Sequence, residues 1–308
     1  MANHVCAKPL SQLADSKIGD QEAPPTCLSV LLATLPPLRP GDEPLDGVVL
    51  EHLLTREECA RLVDNAEASG FSFWDAAGEQ ARSQAIRNAH TVEFEDAALC
   101  AALWERLRPF VPERVDIRED QPRYESDLGG NWKASGLNTH LLVNRYGPGG
   151  HFAPHVDGST IVNFNRRSLY TVLVYLNDCV EGGSTQLLRE EQGNATEIAA
   201  DGARVAREDH VLYEVQPACG RAVMYWHQVL HAGKRVGDKN IKYCLRTDVM
   251  YDRDPPMCTE PDDVLAFELY EKARELDAAG HAMDALPLFK RAAKLSEGIA
   301  KAYRIGGW

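Results

Sequence analysis

His155 and Asp157, one residue apart, together with His231 far along the chain, are the feature that most restricts how this sequence can fold. Two imidazoles and one carboxylate on one face of a mononuclear iron ion leave the opposite face open. If these three groups are to meet, two distant stretches of chain must lie side by side. Side chains alternate between the faces of a β-strand, so a strand through Pro154-His155-Val156-Asp157 presents His155 and Asp157 together and turns Val156 away. The third group then comes from elsewhere, and the interval to His231 leaves room for several strands before the sheet returns past the site. A rolled sheet meets that requirement.

His-x-Asp is short enough to arise by chance, so its surroundings carry the argument. Upstream stands Asn144-Arg145-Tyr146-Gly147-Pro148-Gly149-Gly150, and the pair itself sits in Pro154-His155-Val156-Asp157-Gly158. An apolar run, Thr171-Val172-Leu173-Val174-Tyr175-Leu176, follows, then Gly182-Gly183-Ser184-Thr185, His231-Ala232-Gly233, Lys242-Tyr243 and Arg246-Thr247-Asp248.

This ordered set resembles the iron(II)- and 2-oxoglutarate-dependent dioxygenases, and among them the prolyl 4-hydroxylase-like branch, over residues from about 45 to 252. The resemblance implies a mainly β fold with flanking helices and a double-stranded β-helix (jelly-roll) core. It also implies that His155, Asp157 and His231 are the ligands of Fe(II). 2-Oxoglutarate, as cosubstrate, would chelate through two of the remaining positions and leave the third for dioxygen. The implied reaction hydroxylates a C–H bond and releases succinate and CO2. Ascorbate is carried over from the family as the reductant, and a protein or peptide as the substrate. The chain departs from the family where a tryptophan would follow the lysine strand, so a small molecule or an alkylated nucleobase stays open as substrate. An interaction protein working through its C-terminal helices is the non-enzymatic alternative.

The distal carboxylate of 2-oxoglutarate needs a cation, because an unpaired carboxylate in an apolar barrel is strongly destabilised. Lys242 stands at nearly the family's lysine position and is the first choice. Arg246, of the same strand parity, is the second. Tyr146 matches the family tyrosine that hydrogen-bonds 2-oxoglutarate, and packing in the barrel is its other reading. His227 and His231 lie four apart, a spacing that on a helix would point both at one zinc ion. The β-rich run Val223-Met224-Tyr225-Trp226 before them speaks against a helix, and the family's His-x-Gly form selects His231. His227 is then expected beside the ligands or in the core, and His151 on the substrate side or at the surface.

Composition bounds what remains. With 308 residues, 44% of them hydrophobic, the chain can bury one large core and a smaller appendage. A net charge of −13 argues against a nucleic-acid partner, which clustered Lys and Arg would serve. The eight cysteines show no paired spacing. No apolar run reaches membrane-spanning length and no signal peptide is read, so a cytoplasmic or nuclear location is expected. Residues 1–44, with Pro24-Pro25 and Pro36-Pro37, read as a flexible Pro-containing leader. The dioxygenase domain is expected over 45–252, with a helix capped at Thr55 and another over about Ala97 to Leu107. The stretches 70–88 and 116–136 read as polar loops, and 188–209 as an insertion. Residues 253–308 read as a linker through Pro255-Pro256 and a tetratricopeptide-like helical hairpin, with Ala273, Gly280, Ala285, Phe289 and Ala292 at its small and aromatic positions. One hairpin cannot bury its apolar face alone, so it should dock on the domain or on a partner.

Overall fold

The computed structural model describes residues 29–32, 45–189 and 195–306. Its strands, in chain order, are β1 (Ser29–Leu31), β2 (Gly47–Leu50), β3 (Ser72–Phe73), β4 (His90–Glu95), β5 (Arg114–Ile117), β6 (Gly130–Leu137), β7 (His140–Tyr146), β8 (Phe152–His155) and β9 (Ile161–Asn163). They continue with β10 (Arg166–Tyr175), β11 (Thr185–Leu188), β12 (Thr196–Ile198), β13 (Arg204–Ala206), β14 (Val211–Val215), β15 (Ala222–Trp226), β16 (His231–Gly233) and β17 (Lys242–Arg253). The helices are α1 (Arg56–Ser69), α2 (Ala81–Ile86), α3 (Ala97–Leu107), α4 (Pro261–Ala278), α5 (Ala282–Leu295) and α6 (Glu297–Ala302). No helix among the described residues is long and apolar enough to cross a membrane.

Two compact units share the chain. The first comprises residues up to 111, 136–158 and 169–249, and the second 112–135, 159–168 and 250 onward. In the first, strands pair in the order β1-β2-β15-β10-β17-β7-β4-β3, and a smaller sheet runs β14-β11-β16-β8. The pairs β1–β2, β2–β15, β15–β10, β17–β7, β7–β4 and β4–β3 of the large sheet, and all three pairs of the small one, are antiparallel. Tyr146, Tyr175, Val223, Tyr225 and Cys244 of the large sheet pack with Leu187 and Val215 of the small one in a single buried cluster. Two sheets closing on one core make the jelly roll expected from the motifs.

The flanking helices follow from their sequences. The Thr55 side chain accepts from the Glu58 N–H while the Glu58 carboxylate accepts from the Thr55 N–H, so α1 begins on a capping box, and Gly70 ends it at φ 82°. Asp96 caps α3, which buries Leu99, Leu103 and Leu107. Glu58 is fully buried and receives two hydrogen bonds of 2.8 Å from Arg106, tying α1 to α3. Burial alone would raise its carboxyl, but the Arg106 and Thr55 hydrogen bonds hold it below the ordinary glutamate value.

Several segments are more ordered than their composition implies. Within the stretch read as a flexible leader, Ser29–Leu31 pairs with β2, and Leu32 is buried in the main core. An apolar run between two proline pairs is long enough to add one edge strand. The rest of that leader, residues 1–28 and 33–44, lies outside the described residues. The end of β5 and most of β6 pair within the stretch 116–136 read as a polar loop, and α2 forms in the earlier one. β12 and β13 make a hairpin of the insertion, of which 190–194 lie outside the described residues.

In the second unit β17 runs on through Arg253, which the sequence marks as linker. The Arg253 guanidinium lies 4.2 Å from the Trp132 ring centre and donates to the carbonyls of Gly129 and Asp127. Helices α4 to α6 bury Ala266, Phe267, Ala292 and Ile299 with Phe164. Small residues at Ala273, Ala285 and Ala292 are fully buried, so α4 and α5 can approach closely.

The Glu58 pair yields a stability test. Arg106→Leu leaves a buried carboxylate without its cation and should cost about 3–5 kcal/mol at neutral pH. Because the folded carboxyl lies below its unfolded value, the pair's contribution is present above that unfolded value and is lost as pH falls. Denaturation of both proteins should therefore show the gap narrowing on acidification, and a constant gap would contradict the assignment.

Candidate active site

The antiparallel pairing of β8 with β16 sets His155 directly opposite His231. β16 is held on its other edge by β11, where Leu187 faces His231. The two imidazole centroids are 4.1 Å apart. One ligand atom each from His155, Asp157 and His231 lies within 4.8 Å of the others. The Nε2 atoms of His155 and His231 stand 3.8 and 3.6 Å from the two Asp157 oxygens.

The strand that was expected to carry both His155 and Asp157 stops at His155. Asp157 still converges because its backbone N–H donates to the His227 carbonyl at 3.0 Å, while Val156 turns outward and is half exposed. Backbone carbonyls also fix the imidazoles. His155 Nδ1 lies 2.8 Å from the Ala153 oxygen and His231 Nδ1 2.9 Å from the Val229 oxygen. An Nδ1–H donated to a carbonyl leaves Nε2 as a lone-pair donor, the tautomer a metal ligand needs.

Electrostatics agree with that assignment. Burial, aided by the charge of His231, lowers the His155 pKa to about 3, and burial lowers that of His231 too. Both are therefore neutral near pH 7. Burial alone would raise the Asp157 carboxyl, but His231, Arg246, His155 and the Thr171 hydrogen bond hold it well below its ordinary value. Two neutral imidazoles and one carboxylate around a common point fit a divalent iron ion, and the pocket beside them keeps its other face accessible.

Behind Asp157 runs a short relay. Thr171 donates to Asp157 Oδ2 at 2.7 Å and sits 2.8 Å from His227 Nδ1, which as Nδ1–H donates to the hydroxyl. His227 is thus buried behind the site, apart from the three converging atoms. The Tyr225 hydroxyl reaches Asp157 Oδ2 at 3.4 Å, and its ring centre lies 4.7 Å from that of His231. His151, expected on the substrate side or at the surface, is buried, with its ring nitrogens 3.4 and 3.3 Å from the carbonyls of Gly149 and Ala85.

Register places the remaining groups. β17 pairs with β7 so that Lys242 faces Tyr146, Cys244 faces Asn144 and Arg246 faces Leu142, and all six line the pocket. Arg246 is committed to acids: its Nη2 is 3.4 Å from both Asp157 Oδ1 and Asp248 Oδ1. Lys242 is buried, and among the described residues no acidic side chain pairs with it. Its ammonium lies 5.3 Å from the ring centres of both Tyr146 and Tyr175. Burial lowers its pKa. Gly182 and Gly183 have φ of 71° and 70°, and Gly183 leaves room beside the Lys242 stem. A β-carbon on Gly183 would stand 2.9 Å from Cys179 Sγ and 3.4 Å from Lys242 Cδ, and one on Gly182 would collide with the Arg235 carbonyl at 1.9 Å.

Arg87, Phe152, Thr171 and Tyr225 belong to this pocket or its support and were not singled out from sequence. Strand parity marks two of them: Thr171 shares a face with Leu173 and Tyr175, and Tyr225 with Val223. Arg87 stands in a polar stretch with no periodicity, and only its antiparallel bridge to Phe152 brings it in.

Residues 141–247 match the model of the 2OG-Fe(II) oxygenase superfamily. The match spans Tyr146, His155, Asp157, His231, Lys242 and Arg246. No curated protein matches the chain. Among solved structures it is similar to a Pseudomonas putida prolyl-4-hydroxylase, at 16% identity over 68% of this chain and 93% of that one, with a TM-score of 0.41. It is also similar to a Trichoplax adhaerens prolyl hydroxylase in complex with a hypoxia inducible factor peptide fragment, at 18% identity over 68% and 84%, with a TM-score of 0.40. A third similar structure is the non-heme alpha ketoglutarate dependent carbocyclase SnoK from nogalamycin biosynthesis, at 13% identity over 68% and 80%, with a TM-score of 0.40.

The relay behind Asp157 gives a prediction that needs no substrate. Thr171→Val keeps the shape but removes the hydroxyl, and Mn(II) affinity measured by calorimetry should fall about 10- to 100-fold with the fold intact. Unchanged affinity would show that Thr171 does not orient Asp157.

Proposed function

We propose that the protein is an Fe(II)- and 2-oxoglutarate-dependent dioxygenase that hydroxylates a C–H bond of a protein or peptide, in the manner of the prolyl 4-hydroxylases. One observation carries the catalytic half: three converging donors, two of them imidazoles with Nε2 freed, stand in a pocket with a buried ammonium that has no acidic partner among the described residues. The peptide half rests on the motif resemblance.

His155, Asp157 and His231 would hold Fe(II). When bound, Fe(II) with 2-oxoglutarate and dioxygen supplies the oxidising power, yielding succinate and CO2. The protein's own residues bind and orient. Lys242 receives the distal carboxylate of 2-oxoglutarate, since an ammonium buried among two tyrosine rings needs an anion to offset its desolvation. The Tyr146 hydroxyl, beside it in register, donates to the same molecule. Arg246 holds Asp157 from the side and stays with Asp248. Leu173 and Phe152 narrow the water-accessible space. Ascorbate is the reductant we assign to keep the iron ferrous.

Anaerobically loaded protein supplied with oxygen should convert 2-oxoglutarate to succinate, and His155→Ala should not. Lys242→Met removes a charge-assisted contact, raising KM for 2-oxoglutarate about 10- to 100-fold. Arg246→Met should weaken metal binding instead. Equal, small effects of the two on KM would refute this division of labour.

A further inference from the structure

The pocket holds one cation more than the cosubstrate and metal require. Arg87, Lys242 and Arg246 line it, and Asp157 lines it as well, with Asp248 pairing Arg246 from behind. Three cations against two carboxylates leave one positive charge. A divalent metal and doubly negative 2-oxoglutarate cancel each other, so the excess survives loading.

That excess falls on Arg87. Lys242 is taken by the cosubstrate in the reading above, on which this inference rests, and Arg246 is taken by its two aspartates. Arg87 has no acidic partner among the described residues. Its Nη2 donates to the neutral oxygens of Asn144 and, at 3.2 Å, of Thr91, and its Nε is buried without a hydrogen-bond partner. The guanidinium lies 4.8 Å from the Phe152 ring centre, and Phe152 stacks on His155 with centroids 3.6 Å apart. Trp74 flanks the guanidinium at 5.7 Å, and the indole N–H donates to the Arg87 carbonyl. A planar cation held between aromatic rings, one ring away from the metal ligands, is preorganised for a planar anion.

We infer that Arg87 is a substrate-binding residue and that the substrate carries a carboxylate, held by this guanidinium near the C–H bond to be oxidised. A peptide with an acidic group beside the target residue fits, as does a free carboxylic acid. The shared requirement is the carboxylate.

The test uses full-length protein loaded with Mn(II) and saturating 2-oxoglutarate, with acetate as probe and acetamide as its neutral counterpart. Displacement of water from Mn(II) by 2-oxoglutarate, read as a fall in water-proton relaxation, checks the loading. If loading fails in the wild type, the proposed function fails and takes this inference with it. In loaded wild type, Mn(II) should broaden the acetate methyl resonance saturably and leave acetamide unaffected. Arg87→Met should load 2-oxoglutarate normally yet bind acetate at least about 10-fold more weakly, while Arg87→Lys should retain part of the binding. Equal broadening of acetate and acetamide, absence of saturable acetate binding, or unchanged acetate binding in Arg87→Met would each overturn the inference. Loss of 2-oxoglutarate loading in Arg87→Met would reassign Arg87 to the cosubstrate.

Discussion

Everything in the site depends on one pair of neighbouring strands. β8 and β16 are antiparallel and in a register that places His231 opposite His155. A slip of one residue would turn His231 to the other face of its strand and dismantle the site. The smaller sheet prevents that slip, because β11 pins the far edge of β16 while the main core anchors Leu187. Carbonyls two residues before each histidine then set the ring tautomers, so the same short segments supply both imidazoles and their orientation.

A second register sets the charges. The pairing of β7 with β17 lines up Tyr146 with Lys242 and places Arg246 four residues farther along the same face. The two cations differ in their surroundings. Arg246 is paired with Asp157 and Asp248, whereas Lys242 lies beside two tyrosine rings and Gly183. A buried cation lacking an anion is unfavourable in the free protein and favourable when an anionic ligand arrives, the physical ground on which Lys242 is proposed to hold 2-oxoglutarate. As proposed above, Arg87 extends the same logic to the substrate.

Much of this was legible because it is local or periodic. The capping box at Thr55, the helix over Ala97 to Leu107 and the His-x-Asp and Gly-Gly motifs all state their geometry within a few residues. What escaped was long-range or depended on partners. Asp157 leaves its strand yet converges, because a distant carbonyl of His227 captures its N–H. Arg87 has no pattern around it and enters through a single bridge to Phe152. Ser29–Leu31 gains its strand from β2, and Arg253 loses its linker character to Trp132 and Phe164. The helical period of α4 and α5 was readable from small residues, whereas the choice of Phe164 as their partner in the core was not.

The central claim is that His155, Asp157 and His231 hold a ferrous ion whose open positions accept 2-oxoglutarate. Anaerobic addition of Fe(II) and then 2-oxoglutarate tests it most directly, because bidentate chelation of a ferrous centre produces a visible charge-transfer band. The account predicts a band that grows with 2-oxoglutarate to one equivalent per protein and is missing from His155→Ala. A band of equal strength in His155→Ala, or none in wild-type protein that has bound Fe(II), would contradict it.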